Sequence, residues 1–341
     1  MTGKTRKEGT DALMPSLILL YLKGIAMGAA DVVPGVSGGT VAFISGIYEE
    51  LLLAIRSFDG RALGLLYRRE FKALWRHVHG TFLTVLLAGI ATSILIFSRL
   101  ILYWLTHFPV LIWAFFFGLI IASILAVARR IGAWGPSILG FGLLGAALGY
   151  YITVAVPART PEALWFVFLS GMIAICAMIL PGISGSFILV LLSKYEYIFS
   201  AIRDFNLMVI AVFGCGCTVG ILSFSHLLSW TLRRWHAPTI ACLTGLMMGS
   251  LNKVWPWKIV VETFISSAGE VKPLVERNVF PGSYLESTGN QPYLAGAVLV
   301  AVLGFLLVFF IDKLSSRSSV VAVIHEREAR IRSESDASGS R

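Results

Sequence analysis

Long apolar runs, bounded by charged or turn-forming residues, set the pattern of this chain. Six of these runs are apolar enough to cross a bilayer as helices, given that a hydrocarbon core of about 30 Å takes about 20 residues. They lie at 81–106, 109–128, 135–156, 207–232, 237–252 and 293–314. The pattern therefore predicts six membrane-crossing helices.

Two further apolar stretches are each interrupted near the middle by a Pro-Gly pair. They are 15–55, interrupted at Pro34-Gly35, and 164–203, interrupted at Pro181-Gly182. Proline removes a backbone donor and disfavours helix in the residue before it. Each stretch is therefore predicted to form two helical arms around a break.

The sequences that follow the two breaks are copies of each other. Residues 34–58 align with 181–205 without a gap, at a constant offset of 147. The matched positions include Pro, Tyr, Glu and Arg, which a shared apolar composition alone would not supply. Further along, the halves realign at an offset of 127, which pairs Gly89 with Gly216. The chain is therefore predicted to be an internal duplication.

Basic residues orient the two copies, because Lys and Arg are enriched in cytoplasmic loops. Cations flank the first broken stretch, so both of its ends are expected in the cytoplasm, and counting the spans onward places both ends of the second stretch outside. The copies would then be inverted, as in secondary transporters whose broken helices meet near the midplane. The predicted fold is an all-α polytopic membrane protein, an inverted-topology repeat with two Pro-Gly-broken, re-entrant helical hairpins. Its expected parts are a cytoplasmic N-terminus at 1–14, a first repeat at 15–156, a second repeat at 157–314 and a cytoplasmic basic tail at 315–341.

Composition agrees with a membrane protein. Hydrophobic residues make up 57% of the 341 residues and charged residues 14%, with a formal net charge of +9. Because an ordinary soluble domain has roughly 45–50% apolar and about 25% charged residues, these values exclude a soluble enzyme. The segment 253–292, which carries Pro, Gly and mixed charges, is expected to be an outer linker, with a lid as the alternative.

The two breaks carry the candidate substrate site. Pro can open a helix, Ser can cap it, and Gly lets the backbone approach a ligand. Unpaired amides at a helix start favour phosphate or carboxylate, and two starts that meet from opposite faces could surround one anion. The alternative is that these glycines only permit tight helix packing. The candidate residues are Gly35, Ser37, Gly38, Gly39 and Thr40 in the first copy, and Gly182, Ser184, Gly185 and Ser186 in the second.

Two cations inside predicted spans are further candidates for binding the substrate. Arg99 lies in the span 81–106, and the offset of 127 maps it onto His226. Charges inside a bilayer usually face a cavity or a partner, because burying them in lipid is costly. Arg99 could clamp a phosphate, and His226 could donate a hydrogen bond and titrate. The alternatives are an ion pair of Arg99 with Asp31 or Glu49, and a hydrogen-bonded core histidine at 226.

Carboxylates near the breaks are candidates for coupling or for structure. Glu49 and Glu196 are repeat partners, and Arg56 and Arg203 follow them by seven residues. This spacing puts Glu and Arg on roughly the same helix face, so bracing between arms is one role. Asp31 has no acidic counterpart, because Met178 occupies its repeat position. An unmatched carboxylate beside a break suits coupling to a proton or sodium ion.

The residues around the breaks carry a family resemblance. The runs GAADVVPGVSGGTVAFISGIYEELL and LPGISGSFILVLL, with the whole-chain arrangement, resemble the bacterial and archaeal membrane family of PopT-type polyprenyl-phosphate translocases, over nearly all of 15–314. The resemblance implies a multi-pass protein of the cytoplasmic membrane with both termini in the cytoplasm. It also implies return of undecaprenyl phosphate, or an archaeal equivalent, from the outer to the inner leaflet for reuse in envelope synthesis.

Two other functions stay open at the level of sequence. A secondary transporter of a small soluble anion would use the same helix starts but would need an enclosed aqueous cavity. A membrane lipid phosphatase would need a nucleophile and acid–base partners in one cluster, and the six histidines show no HxxxH or HExxH spacing. We therefore expect no catalytic residues, no metal, no cofactor and no nucleic acid partner. An oligomer is compatible with the sequence.

Overall fold

A computed structural model describes residues 3–33, 36–158, 160–265 and 271–315 of the chain. Gly35, one of the candidate site residues, lies outside the described residues, as does nearly all of the basic tail. The described helices and strands begin and end as follows. They are α1 (Gly3–Val32), α2 (Gly38–Ile44), α3 (Tyr48–Arg56), α4 (Gly60–Tyr67), α5 (Phe71–His77), α6 (Gly80–His107), α7 (Pro109–Ala128), α8 (Pro136–Val154), α9 (Leu164–Ile179), α10 (Gly185–Leu191), α11 (Tyr195–Arg203), α12 (Leu207–Arg234), α13 (His236–Ser250), β1 (Lys258–Ile265), β2 (Val271–Asn278), α14 (Pro281–Thr288) and α15 (Leu294–Ser315).

The prediction of a helical membrane protein is confirmed, and each of the six predicted spans forms one helix. Four helices, α6, α7, α8 and α12, are long and apolar enough to cross a membrane. The predicted span 237–252 forms α13, whose 15 residues would reach only about 22 Å at 1.5 Å per residue. The described apolar part of α15, Leu294–Phe310, is also shorter than the other spans.

Each broken stretch contains a second bend that the sequence analysis missed. Helices α1 and α9 do end beside the Pro-Gly positions, at Val32 and Ile179. The chain then forms a short helix and turns again, by 115° between α2 and α3 and by 105° between α10 and α11. Left-handed backbone at Gly46 (φ 74°) and Ser193 (φ 51°) ends the short helices. Each stretch is thus three helices, where two arms were predicted.

The short helix α2 runs back along α1. The Lys23 ammonium of α1 donates to the Ser45 carbonyl oxygen after α2 at 2.6 Å. At the other end of α2, the Gly38 amide donates to Asp31 Oδ1 of α1 at 2.7 Å. Because the earlier residue of α1 contacts the later residue of the α2 segment, the two helices are antiparallel. The first stretch therefore folds back on itself at the break.

The helix bounds follow the two offsets found in the sequence. At 147 residues, the bounds of α2 and α3 become those of α10 and α11, and at 127 residues those of α6 become those of α12. The long helices pair in the same way in both halves, α1 with α6 and α9 with α12. These equal lengths and pairings support an internal repeat. The predicted repeat boundaries and their membrane orientation stay predictions.

Glycines allow the paired helices to approach closely. A side chain at Gly24 of α1 would meet the Leu86 carbonyl oxygen of α6, and one at Gly89 would meet the Tyr21 carbonyl oxygen. Helices α8 and α13 cross in the same way at Gly145 and Gly245. Such small-residue crossings are the usual way in which helices associate in lipid, where the hydrophobic effect between them is weak.

The helix α13 separates the far ends of the two broken stretches. At its start, His236 Nε2 lies 3.4 Å from Glu49 Oε1 of α3. Just beyond its end, Asn252 and Lys253 line one cavity with Val190 and Leu191, the last residues of α10. The first stretch therefore turns at one end of α13 and the second stretch turns at the other.

The described part of the segment 253–292 has secondary structure, and its role as a linker or a lid stays a prediction. Strands β1 and β2 form an antiparallel hairpin, and α14 follows them. Trp257 and Tyr284 of this segment are buried against Val110 and Ala114 of α7. The sequence of this segment carries many polar residues, but these two aromatic side chains give it enough apolar surface to pack on the helices.

Candidate functional site

The two breaks lie side by side. The Ser37 hydroxyl donates to the carbonyl oxygen of Met178 at 3.1 Å, and the Gly182 amide donates to Thr40 Oγ1 at 2.9 Å. The Tyr48 hydroxyl donates to the Ile179 carbonyl oxygen at 3.1 Å. Polar groups of the first copy thus form hydrogen bonds with backbone groups that have no helical partner at the second break. In an apolar surrounding, such backbone groups need a partner within the protein.

At the start of α2, a backbone amide already binds a carboxylate side chain of the protein itself. The Gly38 amide donates to the Asp31 carboxylate, and the Gly39 amide donates to Ser37 Oγ at 3.1 Å. The Thr40 amide donates to the Ser37 carbonyl oxygen at 3.0 Å. In this conformation, the amides predicted to bind a substrate anion therefore have partners within the protein.

The start of α10 differs in this respect. Met178 takes the place of Asp31, and a side chain at Gly185 would contact it. The Ser184 and Ser186 hydroxyls hydrogen-bond each other at 2.8 Å, and Ser184 makes no capping hydrogen bond to the helix. Among the described residues, no carboxylate bonds to the start of α10, so the two copies are chemically unequal.

Close packing explains part of the glycine pattern. All residues of α2 are buried, as is Ser37. A Cβ at Gly39 would lie 2.7 Å from the Ile179 carbonyl oxygen, and one at Gly38 would lie 2.5 Å from Asp31 Oδ2. Close packing therefore accounts for Gly38 and Gly39, while their binding role stays a prediction that requires a movement at the start of α2.

An apolar groove of about 510 Å³ leads to the joined breaks. Its walls come from α1, α3, α6, α9 and α12, so both copies contribute. The polar side chains among its lining residues are Asp31 and Thr218, and Gly39 lies beside them. The representative apolar wall residues are Leu87 and Ile90 of α6, Ile175 of α9, and Ile221 and Leu222 of α12.

Arg99 and His226 do not lie at the joined breaks, and their binding role stays a prediction. Both side chains are exposed on the surfaces of α6 and α12. His226 Nδ1 bonds the Leu222 carbonyl oxygen of its own helix at 2.8 Å, one turn beyond the groove. Within the described residues, Arg99 forms no ion pair with Asp31 or Glu49, and His226 is not a core residue. The sequence offset of 127 predicts equivalent positions along α6 and α12, but it does not predict which face of the helix each side chain occupies.

The Glu and Arg repeat partners lie at opposite ends of the same short helices. Glu49 and Arg56 are in the first and last turns of α3, and Glu196 and Arg203 are in those of α11. This arrangement suits the helix dipole. Glu49 contacts His236 of α13, which is bracing between elements, while Arg203 pairs with its neighbour Asp204 at 3.3 Å.

Two cations that the sequence analysis missed lie at the C-terminal end of α2. Lys23 is 7% exposed and donates to the Ser45 carbonyl oxygen. The Arg130 guanidinium donates to the Ile44 carbonyl oxygen at 3.3 Å. Cations are favourable where a helix ends, because its last carbonyl groups have no helical partner. Lys23 could have been found from the sequence, since it is the charge that interrupts the first apolar run.

A smaller cavity lies at this same end of α2. It has a volume of about 380 Å³, and its walls include Glu49, Glu50, Arg130 and His236. Glu50 is buried and pairs with His79 Nδ1 at 2.9 Å. Among the described residues, no group of three or more His, Cys, Asp or Glu side chains could hold a metal ion.

Comparison with known proteins gives one consistent result. A family model described as VCA0040-like, undecaprenyl phosphate translocase-like, matches residues 27–272. A polyprenyl-phosphate transporter of Vibrio cholerae is 46% identical over 289 residues, which cover 84% of this chain and 94% of the relative. A polyprenyl-phosphate transporter of Staphylococcus aureus is 30% identical over 256 residues, 69% of this chain and 85% of the relative. No solved structure gives a significant match.

Proposed function

The chain belongs to the VCA0040-like, undecaprenyl phosphate translocase-like family, and from this membership we propose that it moves polyprenyl phosphate across the cytoplasmic membrane. The direction that we propose is from the outer to the inner leaflet, which returns the lipid for reuse in envelope synthesis. The observation that carries the proposal is the apolar groove that ends at two joined helix breaks. A lipid phosphate has the same division between an apolar chain and a polar head.

The groove favours a lipid over a small soluble anion, the alternative raised by the sequence. Its volume of about 510 Å³ is lined almost entirely by apolar side chains, which would offer a hydrated anion little in exchange for its water. An isoprenoid chain is surrounded by apolar groups both in the groove and in the lipid, so its transfer between them changes the free energy little. The groove can therefore bind the chain and still release it. This balance suits a carrier, which must release its substrate.

An inverted arrangement of the two copies supports movement between leaflets. The two broken stretches turn at opposite ends of α13, and the second break packs against Met247 and Ser250 in the last turn of that helix. We assign the end with α4, α5 and Arg130 to the cytoplasm, because basic residues cluster there, and the end with the β hairpin to the outside. Both termini would then lie in the cytoplasm. The groove and both breaks lie within one chain, so transport does not require an oligomer.

We assign the head group to the joined breaks and the coupling role to Asp31. A phosphate that binds the start of α2 must displace the Asp31 carboxylate from the Gly38 amide. Two anions cannot share one amide, so a proton or sodium ion that neutralises Asp31 would favour the exchange. In this mechanism, the protein forms no covalent intermediate and needs no catalytic residue.

Reconstitution into liposomes tests the proposed function. Purified protein should make a fluorescent short-chain polyprenyl phosphate in the outer leaflet inaccessible to a membrane-impermeant quencher, while a phosphatidylcholine with the same fluorophore stays accessible. Uptake of radiolabelled inorganic phosphate into the same liposomes should not exceed that of protein-free liposomes. Uptake of inorganic phosphate without movement of the lipid would contradict the proposal and favour a small-anion transporter.

A further inference from the structure

A cavity with a cationic wall lies beneath the β hairpin, at the end of α13 opposite to Glu49. Its volume is about 310 Å³. Its charged lining residues are Lys253, Lys258, Glu276 and Arg277, and the remaining lining includes residues of α10 and of the chain that follows α8. Among the described residues that line it, three are cations and one is a carboxylate. The cavity is therefore positively charged.

The two lysines are held in fixed positions by the surrounding structure. The Lys258 ammonium is 6% exposed and lies 3.5 Å from the centre of the Trp113 ring. It donates to the Lys253 carbonyl oxygen at 2.6 Å. The Lys253 ammonium contacts Glu276 Oε2 at 3.1 Å, and Lys258 lies 3.8 Å from the same oxygen. Two lysines thus share one carboxylate, and when both are protonated one positive charge in this cluster is uncompensated.

Asparagine side chains fix the neighbouring wall. The Asn278 amide donates to the Asn252 side-chain oxygen at 2.9 Å, and the Asn252 amide donates to Thr153 Oγ1 at 2.9 Å. These bonds tie β2, the end of α13 and α8 together around the cavity. A site whose walls are held in this way loses little entropy when it binds a ligand.

The position of the cavity links it to the joined breaks. Phe187, Val190 and Leu191 of α10 form part of its wall, and the first residues of α10 follow the second break. The seven residues of α10 span only about 10 Å at 1.5 Å per residue. An anion held in the cavity is therefore one short helix away from Ser184 and Ser186, on the face that we assign to the outside.

We propose that this cavity is a phosphate-binding site, in which Lys253 and Lys258 hold the head group of a lipid phosphate before it enters the breaks. Ammonium groups bind phosphate oxygens through charge-assisted hydrogen bonds. The apolar side chains of α10, Val154 and Val156 also line the cavity, and they would contact the first isoprene units. The assignment to a lipid rests on the proposed function, whereas the phosphate site rests on the cavity itself.

Calorimetric titration of the full chain in phosphatidylcholine nanodiscs tests the site, with farnesyl phosphate and inorganic phosphate as probes. We expect Lys253→Gln and Lys258→Gln to weaken farnesyl phosphate binding about tenfold each, the usual size of a charge-assisted contact. Arg61→Gln, which removes an exposed cation of α4, is the matched control and should bind like the parent. Thermal unfolding of each variant shows whether it is folded.

Glu276→Gln separates a binding role of the lysines from a structural one. Removing the shared carboxylate should tighten farnesyl phosphate binding, because the Lys253 ammonium then has no carboxylate beside it that competes with the phosphate. Lysines that serve only to pair with Glu276 predict unchanged or weaker binding in this variant. That result overturns the proposal, as does binding within twofold of the parent in both lysine variants.

The two probes distinguish this proposal from the proposed function. If the lysine variants lose inorganic phosphate binding while the parent moves no polyprenyl phosphate in liposomes, the site stands and the transport function fails. If polyprenyl phosphate moves but neither probe depends on the lysines, transport stands and the site fails. Tighter binding of farnesyl phosphate than of inorganic phosphate supports a lipid as the source, and equal binding contradicts it.

Discussion

The Asp31 carboxylate holds the first amide of α2 in place of an anion from outside the chain. This contact explains why a side chain so close to a helix break carries a charge at all, since an isolated carboxylate in an apolar surrounding is costly. In the proposed mechanism, Asp31 competes with the substrate head group for the Gly38 amide. The same residue then stabilises this conformation and sets the free energy that head-group binding must supply.

Neutralising Asp31 should release the start of α2 for a phosphate. We expect Asp31→Asn to bind farnesyl phosphate several-fold more tightly than the parent, because the amide oxygen can still accept the Gly38 hydrogen bond but without a charge to repel the ligand. Its transport rate should no longer change with the proton or sodium gradient. Asp204→Asn, which alters an exposed carboxylate, is the control. Weaker binding in Asp31→Asn, with a folded protein, would show that the carboxylate serves the site and does not compete for it.

Lys258 should make the outer cavity sensitive to pH. Burial lowers the pKa of its ammonium to about 7, although Glu276 raises it and Lys253 lowers it further. Burial acts to raise the pKa of Glu276, but the two lysines together hold it below its usual value, so Glu276 stays ionised. Lys258 is therefore charged below pH 7 and loses its charge as the pH rises through 7.

Binding of sulfate, whose charge is constant in this range, should follow the charge of Lys258. We expect it to weaken by up to about tenfold between pH 6 and pH 8, which is the loss of protonated form for a group with a pKa near 7. Lys258→Arg, whose guanidinium stays charged, should flatten the pH profile. A parallel profile in the parent and in this variant would exclude Lys258 as the titrating group.

The sequence predicted which residues come together at the breaks, but it did not predict where the charged side chains of the long helices lie. Ser37, Thr40 and Gly182 could be assigned together because the motif recurs at a constant offset. Arg99 and His226 share an offset too, but a repeat reports only equivalent positions, and both side chains are exposed. The cationic wall of Lys253 and Lys258 could not be predicted, because a β hairpin brings together residues that are remote from Glu276 in sequence.

At the scale of elements, the short helices α2 and α10 are the parts that distinguish this chain from a simple bundle. Helix α2 is satisfied at both ends by side chains of other elements: Asp31 at its start, and Lys23 and Arg130 at its end. A seven-residue helix is too short to be stable alone. Its position therefore depends on these contacts and on burial between α1, α7 and α9.

The opposite exposure of the two broken stretches can be tested directly. In a protein whose four native cysteines are replaced, we would introduce Gly60→Cys after the first stretch and Asp204→Cys after the second. A membrane-impermeant maleimide should label Asp204→Cys in intact cells and Gly60→Cys only after permeabilisation, because the stretches turn at opposite ends of α13. Labelling of both sites from the same side would contradict the inverted arrangement.

The breaks were predictable as elements, but the second bends were not. Pro and Gly mark the first break of each stretch by removing a donor and a side chain. The second bend of the first copy has Gly46, yet its counterpart in the second copy has Ser193 in the same left-handed region. Serine gives no such sequence signal. The hydrogen bonds of the tertiary structure, which the local sequence does not contain, hold that turn.

At the scale of the whole molecule, one groove joins both copies. Helices α6 and α12, which are repeat partners, stand on its two sides, and the joined breaks close its inner end. Two cavities lie at the far ends of the broken stretches, one beside Arg130 and one beside Lys253. In the proposed orientation they would give each membrane face a polar entrance for the head of a lipid phosphate, while the groove would hold its chain.

Photo-crosslinking of the groove tests this account most directly. A benzophenone side chain would be placed at Ile90, which lines the groove, and in a matched control at Leu95, which is 78% exposed on the same helix. The account predicts that radiolabelled polyprenyl phosphate crosslinks at position 90 and that unlabelled polyprenyl phosphate, but not excess phosphatidylglycerol, suppresses the product. Equal crosslinking at both positions, or a product at 90 that the competitor does not reduce, would contradict passage of the lipid through this groove.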